Sequence, residues 1–263
     1  MKDIKIGDYV FDNYGVPVKV INTSPIFVNH DCYEITFSDQ EKIIADSDHI
    51  WSVYDIYSRK KELKDLTTKE LFSSYEIPNR KTYNEKWDKD YHAVRYSVPM
   101  SLPLVYPQKE YDIDPYILGL WLGDGCSVAG FITCGNSDLE DIVKAINQTG
   151  YKIKSINNDS ENNKKIIIHR YDDVPLITLL KKNNLFDNKH IPDEYLYGSV
   201  TQRLDLLCGL MDTDGTISKK GYAEFSQSVI HNKISDGFYK LLVSLGIKFT
   251  CGIYDRKCNG KVF

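Results

Sequence analysis

The sequence offers no stretch long and apolar enough to cross a bilayer: its most apolar short run, Tyr116 to Gly123, falls far below the roughly 20 residues a spanning helix needs. No secretory leader opens it, because Lys2, Asp3 and Lys5 break any apolar run after Met1. A cytoplasmic protein with no membrane partner is the expectation. Paired thiols are also missing. Cys32, Cys126, Cys134, Cys208, Cys251 and Cys258 form no Cys-x-x-Cys pair and no Cys/His cluster of zinc spacing. That excludes a zinc module and a disulfide scaffold, and leaves six small hydrophobic side chains, reduced. Nor is there an excess of positive charge. A net charge of -4 and a pI near 5.9 remove the strongly basic class of nucleic-acid binders and make charge a local question. What remains is a globular composition: 263 residues, 42% of them hydrophobic, with a mean hydropathy of -0.38, enough for two cored domains.

Read locally, the basic charge falls into two windows. Residues 151–190 hold eight Lys/Arg against five acids, net +3, and residues 216–263 hold eight against three, net +5. Solvated faces without a partner account for such windows as readily as a polyanion does.

The first stretch predicts β structure. Tyr9-Val10-Phe11, residues 16–21, 33–37 and 42–45 are β-branched or aromatic, punctuated by Asp12-Asn13-Tyr14-Gly15 and Ser38-Asp39 as turns. Residues 58–92 turn charged and partly helical, and predict a linker or insertion. From 93 to 106 the prolines Pro99 and Pro103 allow only edge or irregular strand.

From Asp112 helix and strand alternate. Asp114-Pro115 starts a helix that ends at Asp124-Gly125, with the glycine as its C-cap. Strands are expected near 128–134, 151–156 and 165–170, with helices at 137–149, opened by a Ser137–Glu140 capping box, and at 172–185. A second series follows: a helix from Ser199 to Asp214-Gly215, a strand at 222–226, a helix at 229–245 and a strand at 247–253. The two Asp-Gly ends lie 90 residues apart, and the similar Gly150-Tyr151-Lys152-Ile153-Lys154 and Gly246-Ile247-Lys248-Phe249-Thr250 lie 96 apart. Such spacing predicts a duplicated unit with a pseudo-two-fold axis.

Asp124 and Asp214 both end helices, where the macrodipole is negative and a carboxylate costs about 0.3–1 kcal/mol. Twice in one chain, this points to a bound cation. Gly119 and Gly123 in one helix, with Cys208 and Gly209 in the other, would let the backbones pack closely and bring the carboxylates together. Hard oxygen donors favour Mg²⁺ over zinc.

Residues 117–125 (Ile-Leu-Gly-Leu-Trp-Leu-Gly-Asp-Gly) and 207–215 (Leu-Cys-Gly-Leu-Met-Asp-Thr-Asp-Gly) resemble the two motifs of the double-motif LAGLIDADG homing endonucleases. Leu122 stands where that family usually has Asp. Lys189-His190-Ile191-Pro192 is similar to the family's Lys-x-Ile-Pro block, and Leu245-Gly246-Ile247 to its Leu-Gly-Ile helix end. The resemblance covers residues 112–263. It implies an α+β fold with a duplicated αββαββα endonuclease domain (repeat one 112–190, repeat two 191–263), the second repeat truncated. It also implies site-specific double-strand DNA cleavage at a long target by a monomer, with Asp124 and Asp214 as catalytic metal ligands for Mg²⁺. Carbonyls of Gly123 and Thr213 would help, and Lys189 would assist catalysis. Lys152, Lys154, Lys165 and Arg170 in one unit, with Lys219, Lys220, Lys248, Arg256 and Lys257 in the other, become DNA contacts.

Residues 1–57 and 93–111 resemble part of an intein splicing (Hint) domain. The block 45–51 places His49 where that family polarises a scissile amide, with Asp46 in place of its usual Thr. A terminal nucleophile block and a His-Asn ending are both lacking, so splicing is expected to need complementary intein fragments. Three readings stand together: an intein-associated nuclease, the middle piece of a split intein, and a DNA-binding relic that no longer cleaves.

Overall fold

The computed structural model describes residues 3–60, 62–74 and 95–254, and the backbone of 75, 257–258 and 261–262. It is a mixed α+β fold in two compact units, Met1–Asn13 with Pro17–Ser101, and Tyr14–Val16 with Leu102–Phe263. Among the described residues no helix is long and apolar enough to cross a membrane.

The first unit is built of antiparallel pairs. Strand β1 (Tyr9–Phe11) pairs with β2 (Pro17–Lys19), and β3 (Cys32–Thr36) with β4 (Lys42–Asp46). Strand β5 (Ile50–Asp55) lies between β6 (Leu63–Thr67) and β7 (Tyr96–Ser97). Within the stretch 58–92, expected as a partly helical linker or insertion, residues 63–75 form β6 and helix α1 (Thr68–Tyr75). A capping box explains the helix: Glu70 N–H donates to Thr67 Oγ1 at 3.2 Å, and Thr67 N–H returns to Glu70 Oε2 at 2.7 Å. Ala45 and Val53 are the buried apolar side chains here, while Ile6, Tyr9, Ile21 and Val28 stay exposed. Among its described residues the unit has little core of its own.

The second unit holds the main core. Helix α2 (Pro115–Asp124) begins as expected: Asp114 Oδ1 accepts from Tyr116 N–H at 2.9 Å, and Pro115 needs no partner there. Strand β8 (Phe131–Gly135) follows, then α3 (Leu139–Gln148), β9 (Tyr151–Asn158), β10 (Asn163–Arg170) and α4 (Leu176–Lys182). The sheet order is β8-β10-β9, antiparallel throughout. The strand expected near 128–134 forms as β8, and one isolated bridge, Gly125 opposite Ile132, precedes it. The Ser137–Glu140 capping box does not form. Asp138 takes the N-cap position without a side-chain cap bond, which leaves Glu140 one residue too early to reach back.

After α5 (Asp193–Leu196), α6 (Val200–Asp214) starts at a complete Ser199–Gln202 capping box. Strands β11 (Gly215–Ile217) and β12 (Ala223–Phe225) pair, then α7 (Asn232–Ser244) packs back, with Phe225 stacked on Phe238 at 3.9 Å. The strand expected at 247–253 is absent. Its backbone is irregular up to Tyr254, and short strands β13 (Lys257–Cys258) and β14 (Lys261–Val262) follow. Among the described residues no strand is paired with 247–253, so an apolar alternation there has no ladder to join.

Arg203, fully buried in α6, fixes that helix. Its guanidinium donates to Gly198 O (3.0 Å), to Ser244 O (2.6 Å) and Oγ (2.7 Å), and to Leu104 O, and it lies 5.2 Å from the Tyr106 ring centre. Every bond goes to a neutral acceptor. A buried charge is tolerated when its donors find acceptors; four of the five N–H groups do so here, and they tie α6 to α7 and to the segment before α2.

Candidate metal and catalytic centre

Helices α2 and α6 make the most extensive contact between any two elements among the described residues. Glycine makes it possible. A Cβ on Gly119 would sit 2.6 Å from Leu206 O and 2.8 Å from Leu210 N, and one on Gly209 would sit 2.3 Å from Tyr116 O and 2.9 Å from Leu120 N. The contacts are reciprocal: shifting 119 and 210 by the motif spacing gives 209 and 120. Cys208 stays exposed, outside the seam.

Both helices stop at Asp-Gly. Gly125 (φ -76°, ψ 152°) and Gly215 (φ -91°, ψ 157°) leave the helix extended, not in the left-handed form typical of a glycine cap. Space explains them instead. A Cβ on Gly125 would lie 2.4 Å from Trp121 O, and one on Gly215 2.3 Å from Met211 O. Each aspartate is therefore the last helical residue, at the negative end of the dipole.

The two ends meet. A Cβ on Gly123 would lie 1.9 Å from Thr213 Oγ1 and 3.2 Å from Asp214 Oδ2, so the Asp214 carboxylate rests against the last turn of α2. Burial raises the pKa of Asp124, and the charge of Asp214 raises it further; burial also raises Asp214. Lys189 comes in from the loop after α4, which is held by Asp187 N–H donating to Ser127 O at 2.8 Å. Its Nζ donates to Leu122 O (3.0 Å) and Gly123 O (3.1 Å) and lies 5.1 Å from the Trp121 ring centre. A cation thus caps the end of α2. Burial pulls its pKa down to about 8, against the opposing pull of Asp214 and Asp124.

That shift has a sign that can be checked. In metal-free protein the unfolded chain keeps the Lys189 proton up to about 10.5 while the folded chain releases it near 8. Between those values the unfolded state binds more protons, so stability rises with pH. Wild type should gain on Lys189→Met as pH is raised from 7 to 10 in EDTA, read from urea midpoints. Parallel pH curves would contradict the buried ammonium.

The remaining expected residues are scattered. The Gly123 carbonyl is already engaged by Lys189, and Thr213 Oγ1 turns back to Gly209 O (3.1 Å) and Leu210 O (3.0 Å). Asp212, exposed, accepts from Tyr116 Oη at 2.8 Å, a bond across the seam, and Trp121 is fully buried. Lys152 is exposed on β9, whereas Lys154 pairs with Asp173 (2.8 Å) and Lys165 with Asp159 (2.5 Å). Arg170 is taken by Asp172 (2.7 Å) and Asp112 O (3.3 Å). Lys219 and Lys220 are exposed at the tip of the β11–β12 hairpin, and Lys248 is exposed in the irregular segment. Arg256 and the Lys257 side chain lie outside the described residues. In the first unit His49 is exposed, its ring edge-on to Trp51 at 5.0 Å.

One contact had no sequence signal. Gln227, just after β12, donates from Nε2 to Asp214 Oδ2 at 2.9 Å. Only the return of the hairpin, with Ser226 N–H on Asp214 O at 3.2 Å, brings it there.

Among the described residues no group of three or more His, Cys, Asp or Glu is placed to hold a metal. Two crowded carboxylates remain, and their donor chemistry suits magnesium, which commonly takes one or two carboxylates and completes its shell with water and substrate phosphate.

Comparison with known proteins bears on one end of this geometry. Over 275 aligned residues, 98% of the chain, it is 29% identical to the replicative DNA helicase DnaB of Mycobacterium intracellulare, and it spans 42% of that relative's length. Residues 190–262 match the homing endonuclease family. The segment carrying α6, Asp214 and α7 is thus similar to homing endonucleases, and part of the chain is nuclease-related.

Proposed function

We propose that the chain is a site-specific, magnesium-dependent double-strand DNA endonuclease of the double-motif LAGLIDADG kind, associated with an intein. The observation that carries this is the meeting of Asp124 and Asp214 at the ends of two crossing helices, with Lys189 beside them. The reciprocal Gly119 and Gly209 contacts support the double motif, since a two-fold seam repeats each contact.

Asp124 and Asp214 would hold the divalent ion, which when bound supplies charge neutralisation and Lewis acidity at a scissile phosphate. Lys189 places a positive charge beside them, where negative charge develops during hydrolysis. A water oxygen bonds to phosphorus as one P–O ester bond breaks; the water gives up a proton to solvent, and the departing alkoxide takes one from it. Lys152, Lys219 and Lys220, exposed in two separate places, are available to phosphates along a duplex. The salt-bridged Lys154, Lys165 and Arg170 would first have to exchange their carboxylates. One chain carries both halves, so a monomer suffices.

A supercoiled plasmid carrying replicative-helicase coding DNA, with the stretch corresponding to this chain removed, tests the reading. Linearisation at one site with Mg²⁺, stopped by EDTA, is expected. No magnesium-dependent cleavage of that DNA removes the proposal.

The thin core of the first unit favours one addition. Its exposed apolar strands suit a splicing domain completed by complementary intein fragments, with His49 as a remnant of the splicing block. A Cys- or Ser-led reading frame upstream and a His-Asn ending downstream are the expected neighbours in the genome.

A further inference from the structure

Equivalent positions on the two helices are served by different chemistry. At the end of α2 the last carbonyls, Leu122 O and Gly123 O, accept from the Lys189 ammonium. At the end of α6, 90 residues on, a neutral amide does the work, and it binds the carboxylate itself: Gln227 Nε2 lies 2.9 Å from Asp214 Oδ2. Gln227 sits in a loop, half-buried, with its Oε1 accepting from Ser228 N–H at 3.0 Å, which fixes the amide with its NH₂ toward Asp214. The Asp124 carboxylate has no such donor among the described residues.

We propose that Gln227 is a positioning residue that makes the two carboxylates unequal, so that divalent ions load first at Asp124 and second at Asp214. The proposal rests on the nuclease reading above. An ion approaching Asp214 must displace or share an oxygen already bonded to an amide, and a hydrogen bond to a charged group is worth about a tenfold change in affinity or more. An ion at Asp124 meets a carboxylate without that bond. The Lys189 charge is felt by both carboxylates, whereas the Gln227 amide bonds to Asp214 alone.

Terbium(III) titration of the DNA-free, metal-free protein tests this, read by luminescence sensitised through Trp121, three residues before Asp124 in α2. Two steps are expected, with midpoints about tenfold or more apart. In Gln227→Ala the second step should move toward the first, and the first should stay in place. Gln227→Glu, which removes the donor and adds a carboxylate, should strengthen the second step further. A single step in wild type, or a second step that neither variant moves, overturns the proposal while leaving the nuclease reading intact. No terbium binding at all removes the metal site itself, and both readings with it.

Discussion

Asp124→Asn and Asp214→Asn are each expected to abolish magnesium-dependent cleavage, by about 10³-fold or more, while making the metal-free protein more stable. The two effects come from one cause. Asp214 is half-buried and Asp124 is exposed at its edge, yet desolvation by the surrounding helix ends holds each folded-state pKa above the ordinary value of 3.8; for Asp124 the Asp214 charge adds to this. Between the unfolded and folded values the native state binds more protons than the unfolded chain. Stability from these groups is therefore full below about 3.8 and falls as pH rises through the folded pKa. At pH 7 the ionised pair strains the seam. Asparagine stays neutral, keeps nearly the same shape, and at 214 still offers Gln227 an acceptor. Thermal unfolding in EDTA should show each variant above wild type at pH 7, with the gap closing toward pH 3. Cleavage at the wild-type rate would remove the carboxylates from the chemistry. A lower melting temperature in both variants would make them structural groups, not strained ones.

How much of this could be read from the residues depends on whether the signal was local. Asp114-Pro115 and Ser199 with Gln202 mark the starts of α2 and α6 because capping involves neighbours in sequence. Asp124-Gly125 and Asp214-Gly215 mark their ends, but for a different reason than the one expected: the glycines avoid the preceding turn and do not take a left-handed conformation. The Thr67–Glu70 box is equally local and fits the partly helical reading of 58–92, whereas β6, which needs β5 as its partner, carried no such signal. Tertiary partners were not legible. Gln227 reaches Asp214 only because a hairpin returns it, and the carbonyls that Lys189 meets are 67 and 66 residues away. The basic windows show the same limit: charge counts do not reveal that Lys154, Lys165 and Arg170 are matched to Asp173, Asp159 and Asp172. The segment 247–253 has the alternation of a strand but no pairing neighbour among the described residues, and pairing decides.

Gly209→Ala should destabilise the protein, and Gly209→Val should do so by about 3 kcal/mol or more, although helix propensity argues the other way. Replacing an interior helical glycine by alanine ordinarily gains about 0.8–1 kcal/mol. Here the new Cβ would lie 2.3 Å from Tyr116 O and 2.9 Å from Leu120 N, and both are backbone atoms of α2 that no rotamer change can move aside. The helices must separate, and separation opens packing around Leu120, Leu206 and Leu210, all fully buried. Gly119→Ala should behave alike, because its Cβ meets Leu206 O and Leu210 N from the other side of the seam. Cleavage should fall further than stability predicts, since the same separation pulls Asp124 from Asp214, and a misplacement of about 1 Å can lower a rate by about 10²-fold. Urea midpoints and plasmid cleavage below the unfolding transition separate the two effects. If Gly209→Ala proves neutral or stabilising, the helices do not cross at Gly119 and Gly209, and the carboxylates they carry lose the reason to meet.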